Sequence, residues 1–599
     1  MVSRRSLIVA AAVGAFAFAT TSFVYRKGGA ILIDFERGYE GAFVNGFHPR
    51  ERAEGKYFRW TDDASYVEFR HLPLKGTLGV EARLRTIRPE GAPLPSLAFT
   101  ANGVTVHRAA ALPGVVTYHF QFPSSSSRLR LGIESETFEA AGGRKLGVQV
   151  LGIRLKLPEE LPSFEEPALW MSLSAMLVLA SGLSFPIAVL AAVVLTVPFT
   201  YLLGLSSVRF STYPRDVALL TLSALAAAAL LRAILNRAGW LHASDRGIAT
   251  ALLALLLLLK MGMLSYPLML SSDADFQANR MREFLQGNWH PTSVTQHEPP
   301  VRIPYPVALF ATAAPLAKVG MDLVPALEIT TGLFDVLVSG LLMFLGWRCL
   351  DDFRAGALAA VLYQLVPMNA LSFSAGNFTN LFAVSMLACA FTFLAVSAVA
   401  GTGVSTLLAL TAHFGMLLEG LVLWPLWLVL LYMAPKPVKD RRALVTAAVL
   451  AAFLIAAVYY LGYLELFTSQ YGRALEGESP GGIGAAFDLW GEQIGFVFLA
   501  TAFLGSLSFV REPLGGAFSG LAVGWLGTTL FFLAIDVWTG LEIRYWLQAL
   551  PLLALFSGAY LSRAFSRSAI GKGAALAALA YMGFVGIRTL FECMVYRYH

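Results

Sequence analysis

The stretch that decides the fold runs IATALLALLLLLKMGMLSYPLML from Ile248 to Leu270 and then breaks into SSDADFQANRMREFLQGNWH, Ser271 to His290. The first half is apolar for longer than the roughly 20 residues that a helix needs to cross a hydrocarbon core of about 30 Å. Only Lys260 interrupts it. The second half places Asp273 and Asp275 one residue apart where that helix would leave the membrane.

Similar apolar runs recur along the 599 residues, of which 56% are hydrophobic and 14% charged, with a mean hydropathy of +0.63. A soluble chain carries about a quarter charged residues. The runs are continuous and do not alternate, so they predict helices and not a barrel. The expected class is a mainly α-helical, polytopic membrane protein. The net charge of +6 reads as topology and not as a nucleic-acid surface, since no dense basic tract is present. Cys349, Cys389 and Cys593 have no short spacing, hence neither a disulfide framework nor a zinc knuckle.

Residues 1–27 combine Arg4 and Arg5 with an apolar run to Val24, then Arg26 and Lys27. With no convincing cleavage site, this reads as an N-terminal transmembrane anchor whose start is cytoplasmic. Residues 28–164 form a different region. Val80, Ala82 and Leu84 alternate with polar neighbours, as do Leu129, Leu131 and Ile133, and Tyr118, Phe120 and Phe122. Period two predicts half-buried strands, and Pro89-Glu90-Gly91, Asn102-Gly103, Pro113-Gly114 and Gly142-Gly143 supply turns, so an inserted all-β sandwich is expected. Its Tyr57, Phe58, Trp60 and Tyr66 offer either stacking faces for carbohydrate or an ordinary core. The Pro- and Glu-rich segment from Pro158 to Glu166 is the linker into the multi-spanning domain, 165–599. Spans are expected near 168–184, 187–204, 217–235, 248–270, 324–349, 355–373, 380–400, 405–433 (a tight pair), 443–464, 494–510, 514–535, 546–562 and 573–590.

Arg237 and Arg246, Arg348 and Arg354, Lys436 to Arg442, and Arg563 to Lys572 fall on one side of this list. By the positive-inside rule that side is cytoplasmic, which places the β-domain and the Asp273 loop outside. The predicted helix from Asp273 to Leu285 has a rough apolar face of Phe276, Met281, Phe284 and Leu285. Beyond it, His297-Glu298-Pro299-Pro300-Val301-Arg302-Ile303-Pro304-Tyr305-Pro306 cannot be helical and predicts a fixed, extended loop. Two carboxylates at this spacing can act as a general base, or hold a divalent cation such as Mg²⁺ or Mn²⁺, or be solvated loop charges. Arg280, Arg282 and Arg302 have the planar fork that matches phosphate.

These residues resemble the GT-C glycosyltransferases, integral membrane enzymes that use polyprenyl-phosphate sugars and carry catalytic acids in an early extracytoplasmic loop. The resemblance continues through Ile303-Pro304-Tyr305-Pro306-Val307-Ala308-Leu309, Ala359 to Pro367 with Leu371 to Gly376, Leu410-Thr411-Ala412-His413-Phe414-Gly415, and Ile543-Arg544-Tyr545-Trp546 with Leu550-Pro551, about half the chain. It implies an enzyme of the cytoplasmic membrane that moves a sugar from a polyprenyl-phosphate donor to a saccharide, lipid or protein acceptor. Asp273 or Asp275 would be the base, with Asp273 preferred as nearer the helix end and more buried. Arg280, Arg282, His297, Glu298, Arg302, Tyr305, Arg544 and Tyr545 would contact substrate, Arg302 or Arg544 at the leaving phosphate. The sequence departs from the family in carrying a β-domain and several helices before the acidic loop, and in having Asp-Ala-Asp where an adjacent acidic pair is common. A transporter or flippase, or a polymerase or ligase, of lipid-linked saccharides is the alternative. His290 with His297 lacks a metal-ligand signature, whereas Lys260, Asp335, His413 and Glu419 are ionisable groups inside or near spans, and such groups are functional or paired. Glu476, Glu478, Asp488 and Glu492 fall in a Gly-rich outer loop.

Overall fold

The computed structural model describes residues 4–26, most of 30–157, most of 230–237, and 241–265, 273–294, 302–433, 441–464, 490–511, 517–539 and 544–595. The expected spans 168–184 and 187–204, most of 217–235, the 158–166 linker and the 476–488 acids lie outside these residues. The chain divides into two compact units, one holding the N-terminal helix and the β-domain and the other the later helices.

In the first unit, α1 (Arg4–Arg26) buries Val9, Ala10, Val13, Ala17 and Thr21 along one helical stripe. The β-domain follows: β1 (Ala30–Asp34), β2 (Val44–Phe47), β3 (Glu51–Ala53), β4 (Lys56–Arg70), β5 (Gly76–Thr86), β6 (Ser96–Ala101), β7 (Val104–Ala110), β8 (Gly114–Ser124), β9 (Arg128–Ser135), β10 (Phe138–Ala140), β11 (Arg144–Leu146) and β12 (Gln149–Lys156). All pairings are antiparallel, in the order β7-β6-β9-β4-β12-β5-β8, with β1 added to β12 and β2 and β3 to β4. The long β4 pairs with β12 near its start and with β9 over its second half, so it joins two halves of the sheet. Those halves face each other: Phe99 on β6 meets Phe120 on β8 at 4.7 Å, although these strands lie near opposite ends of the order. The inward residues expected from alternation, Val80, Ala82, Leu84, Phe120, Phe122, Leu129, Leu131 and Ile133, make one buried core. Asn102-Gly103 closes the β6–β7 hairpin with φ of 51° and 85°, the left-handed pair that a two-residue turn requires.

The second unit is helical: α2 (Ala243–Ser265), α3 (Ala274–Leu285), α4 (Ala308–Lys318), α5 (Leu323–Cys349), α6 (Phe353–Leu365), α7 (Pro367–Ser374), α8 (Phe378–Ala395), α9 (Val399–Leu410), α10 (Phe414–Met433), α11 (Arg441–Leu454), α12 (Phe496–Arg511), α13 (Ala517–Thr539), α14 (Arg544–Arg567) and α15 (Ala569–Val595). Six of the described helices are long and apolar enough to cross a membrane, or seven if the bent α6–α7 pair is one span. The protein is therefore a multi-pass membrane protein. The bundle centres on α8, 89% of whose apolar window is buried, whereas α15 is peripheral at 17%. Close backbone approach is bought with glycine: a Cβ on Gly346 would collide with Gly356 where α5 crosses α6, and one on Gly505 with the Phe556 carbonyl where α12 crosses α14.

Three expectations are corrected. The 355–373 span is two helices bent by 45° at Val366-Pro367, because a proline nitrogen cannot continue the hydrogen-bond ladder. The helix expected over 380–400 ends at Ala395, and a separate α9 begins at Val399 after a turn in which Ser397 takes φ 61°. An additional apolar helix, α4, follows the proline-rich loop.

Candidate functional site

Asp273 is the N-cap residue of α3, yet its carboxylate makes no cap hydrogen bond. An Asp in that position usually accepts from the second or third helical N–H, worth about 1 kcal/mol. Here the cap is fixed through the backbone: the Asp273 N–H donates to the Ala375 carbonyl at 3.2 Å, and Gln277 N–H returns to the Asp273 carbonyl at 2.9 Å. Ala375 closes α7, and Gly376, with φ 78°, turns the chain into α8. Both carboxylates are exposed, so the expected greater burial of Asp273 is not found. Among the described residues no side chain pairs with either.

The buried face of α3 is Ala274, Gln277, Ala278 and Met281; of the predicted Phe276, Met281, Phe284 and Leu285 only Met281 belongs to it. The helix packs against α5 and α4 through its small residues, which allow close approach, and leaves Leu285 exposed and Phe276 and Phe284 half-buried. Phe276 meets Tyr305 edge-on at 5.3 Å. Of the proline-rich segment the described part is extended: β14 (Arg302–Pro304) pairs antiparallel with β13 (Thr292–Val294), Thr292 opposite Pro304. Tyr305 N–H then donates to the Pro291 carbonyl at 3.0 Å, and Tyr463 hydroxyl reaches the same carbonyl at 2.9 Å. His290 Nε2 lies 3.2 Å from the Tyr459 carbonyl, and its ring stacks on Tyr459 and meets Tyr463 edge-on. This carbonyl ends a π-turn, Ile455–Tyr459, that continues α11. The tyrosine cluster went unread in the sequence, although YYLGY at the end of an apolar run was a visible interfacial signal.

Of the expected substrate contacts, Arg280 donates to both Glu283 oxygens at 2.8 and 3.0 Å and lies over the Phe276 ring. Arg282 donates to Asn279. Both guanidinium groups are thus engaged within their own helix. Arg302 is exposed at the start of β14, and Tyr305 is half-buried beside α3. Arg544 and Tyr545 open α14, their side chains being outside the described residues, as are His297 and Glu298. Among the described residues no three His, Cys, Asp or Glu gather as metal ligands. No step below uses a cation.

The intramembrane ionisable residues resolve into two kinds. Lys260 and Asp335, on different helices, form an ion pair at 2.9 Å, which accounts for both. The Asp335 carboxylate also accepts from Tyr363 hydroxyl at 2.7 Å, Gln364 Nε2 at 2.9 Å and Asn369 Nδ2 at 3.0 Å. Lys260 donates to Asn369 Oδ1 at 2.5 Å and lies 4.3 Å from the Phe373 ring centre. By contrast, among the described residues Glu419 is fully buried with neither oxygen hydrogen-bonded, as are Gln548 and Asn380 with both amide atoms unpaired. His413 Nδ1 accepts from Gly415 N–H at 3.1 Å. Gln548 lies beside this turn, 4.0 Å from where a Gly415 Cβ would stand.

In the β-domain, Phe58 and Trp60 are buried with Leu146 and Leu151 in a small core, while Arg50 and Arg52 cover the Tyr57 ring and Arg130 covers Tyr66.

No family model matches the sequence, and no curated protein matches it. Among solved structures, the chain is similar to ArnT from Cupriavidus metallidurans bound to undecaprenyl phosphate, with 16% identity, TM-score 0.42, and 56% of this chain and 63% of that chain covered. It is also similar to the arabinosyltransferase EmbB from Mycobacterium smegmatis, with 12% identity, TM-score 0.33, and 99% of this chain and 62% of that chain covered. The chain thus spans less than two thirds of either structure.

Proposed function

We propose that this protein is a membrane glycosyltransferase of the GT-C kind. It moves a sugar from a polyprenyl-phosphate donor to an acceptor hydroxyl on the extracytoplasmic side, with Asp273 or Asp275 as general base. The observation that carries the reading is the unused N-cap carboxylate: Asp273 is held by its backbone on the α7–α8 turn while its side chain, like that of Asp275, stays exposed.

In the transfer, one aspartate takes the acceptor proton as the acceptor oxygen bonds to the anomeric carbon. The bond from that carbon to the phosphate oxygen breaks, and the electron pair leaves on polyprenyl phosphate. A guanidinium at the same end, Arg302 or Arg544, stabilises that charge. The half-buried Tyr305, edge-on to Phe276, offers an aromatic wall to the sugar. Charge distribution supports the orientation. Arg354 and Lys572 both lie against Phe565, and Arg348, Arg563 and Arg567 occupy the same ends of α5 and α14, opposite the Asp273 end. That basic end is the cytoplasmic one.

The test is transfer in proteoliposomes supplied with labelled polyprenyl-phosphate sugars. Asp273→Asn or Asp275→Asn should lower kcat at least ~100-fold, the low end of a general base's contribution. Wild-type turnover in both variants would end the assignment. Movement of the labelled lipid between leaflets without any transfer would establish a flippase instead.

A further inference from the structure

From the contacts of Lys260, Asp335 and Asn369 we infer that this buried cluster is the positioning device for the aspartate pair, acting through α7. The inference rests on the transferase reading only for its catalytic consequence; its geometric part stands alone.

The cluster is complete. Asp335 Oδ1 accepts from Tyr363 and Asn369, and Oδ2 from Lys260 and Gln364. Asn369 uses both ends of its amide, accepting from Lys260 and donating to Asp335. Gln364 also reaches the Asp335 carbonyl at 3.1 Å and Ser339 Oγ at 3.3 Å. Every member is buried. Ion pairs of this kind are costly to assemble and are seldom the cheapest way to join helices. The same α5–α6 pair is already joined by the Gly346–Gly356 contact, which needs no polar group.

What the polar cluster adds is control of α7. This helix follows a 45° break, so continuity with α6 does not fix its direction. Lys260 grips it twice on one face, at Asn369 by hydrogen bond and at Phe373 by cation–π contact, one turn apart. Asp335 grips Asn369 from α5. The far end of α7 delivers the Ala375 carbonyl to the Asp273 N–H. From Asn369 to Ala375 is on the order of 9 Å of helix. A tilt of about 10° at the anchored end therefore moves the Asp273 contact by roughly 1.5 Å, and a misplacement of about 1 Å can cost ~100-fold in rate.

The variant to make is Asn369→Leu, of similar volume, which leaves the Lys260–Asp335 pair intact. A second variant, Lys260→Met with Asp335→Leu, removes both charges together. Two readouts apply to each protein in lipid: the kcat and KM for the polyprenyl-phosphate sugar, and hydrogen–deuterium exchange of the first α3 amides. We expect both variants to fold, with kcat lowered ~10- to 100-fold, donor KM within about 3-fold, and faster exchange at the Asp273 and Gln277 amides with α10 unchanged. Wild-type kcat together with unchanged exchange at α3 overturns the inference. If Asp273→Asn and Asp275→Asn retain transfer, the catalytic reading falls, and the exchange result alone decides whether the cluster holds α3. Should a variant fail to accumulate, Lys260→Arg supplies the comparison: retained charge with restored kcat supports positioning, and lost kcat with unaltered α3 exchange refutes it.

Discussion

Replacing Asp335 with leucine should cost more stability than replacing Lys260 with methionine, and replacing both should cost less than either. Without Lys260 the carboxylate keeps three donors, Tyr363, Gln364 and Asn369, so the loss stays near the low end of the ~3–5 kcal/mol for a broken buried pair. Without Asp335 the ammonium keeps only Asn369 Oδ1 and the face of Phe373. The Tyr363 hydroxyl and Asn369 Nδ2 are stranded as well, each adding ~1–3 kcal/mol. The single loss should then reach at least ~5 kcal/mol. The double variant strands those two donors and Asn369 Oδ1 but buries no lone charge, and the ~1–4 kcal/mol that apolar replacement of a buried pair can gain offsets part of that loss. Cys389 and Cys593 are buried and in no disulfide, so a thiol-reactive fluorogenic dye reports unfolding in detergent as a rise above the signal of the half-buried Cys349. Each kcal/mol should move the apparent midpoint by about 2 °C in a domain of this size. A Lys260→Met midpoint below that of Asp335→Leu, or a double variant no better than the better single, would refute the account.

Other outcomes follow from local geometry. Glu419→Leu should raise the midpoint, since it removes a buried carboxylate with no hydrogen bond in exchange for apolar contact, by ~1–3 kcal/mol; a lower midpoint with intact expression would contradict this. Gly346→Val should lower it by more than ~1 kcal/mol, because a side chain meets the Gly356 backbone and not a movable side chain; an unchanged midpoint would show that the α5–α6 crossing can open. Glu81 is held below the usual carboxylate range chiefly by its hydrogen bond with Lys156, at 2.6 Å, with Arg154 and His119 nearby. A depressed carboxylate stabilises above its unfolded pKa and loses that contribution as pH falls through the folded one. Thermal midpoints should therefore drop less steeply with acid below about pH 4.5 in Glu81→Gln than in the parent.

Pattern made most of the architecture legible. Period-two runs placed β5, β8 and β9, and apolar length placed α2, α5 and α12 to α15 with ends within about five residues. The failures have physical causes. The α6–α7 break is written in Pro367, but hydropathy averages across a proline, and the flanking run stays apolar on both sides. The α3 face was misread because large apolar residues were taken to mark burial. Inside a bundle, Ala274 and Ala278 let backbones approach, and Phe276 and Phe284 stay half-buried at the rim. Lys260 was conspicuous in its run, and an intramembrane charge demands a partner; that the partner is Asp335, 75 positions along the chain, is a tertiary fact no local window contains.

Among the described residues, the buried amide, carboxyl and lysine side chains of the helical unit sort by position. Lys260, Asp335, Gln364 and Asn369 satisfy one another within the bundle. The buried amide and carboxyl side chains left with unpaired atoms are Gln277, Asn380, Glu419 and Gln548, all within the first six residues of α3, α8, α10 and α14. Contacts put those helix starts at one end: Asp273 bonds to the turn before α8, Ala308 N–H to the Thr411 carbonyl before α10, and Gln548 neighbours that same turn. An unpaired buried amide costs about 1–3 kcal/mol, a cost that hydrophobic replacements would avoid. Deep in the bundle the chain has avoided it by pairing every group of the Asp335 cluster. At the Asp273 end it has not, and on the proposed transferase reading that is the end that receives a hydroxyl-rich substrate. Stability and function thus divide the same residue types by depth, paired where helices must be held and unpaired where a polar guest could supply the missing bonds.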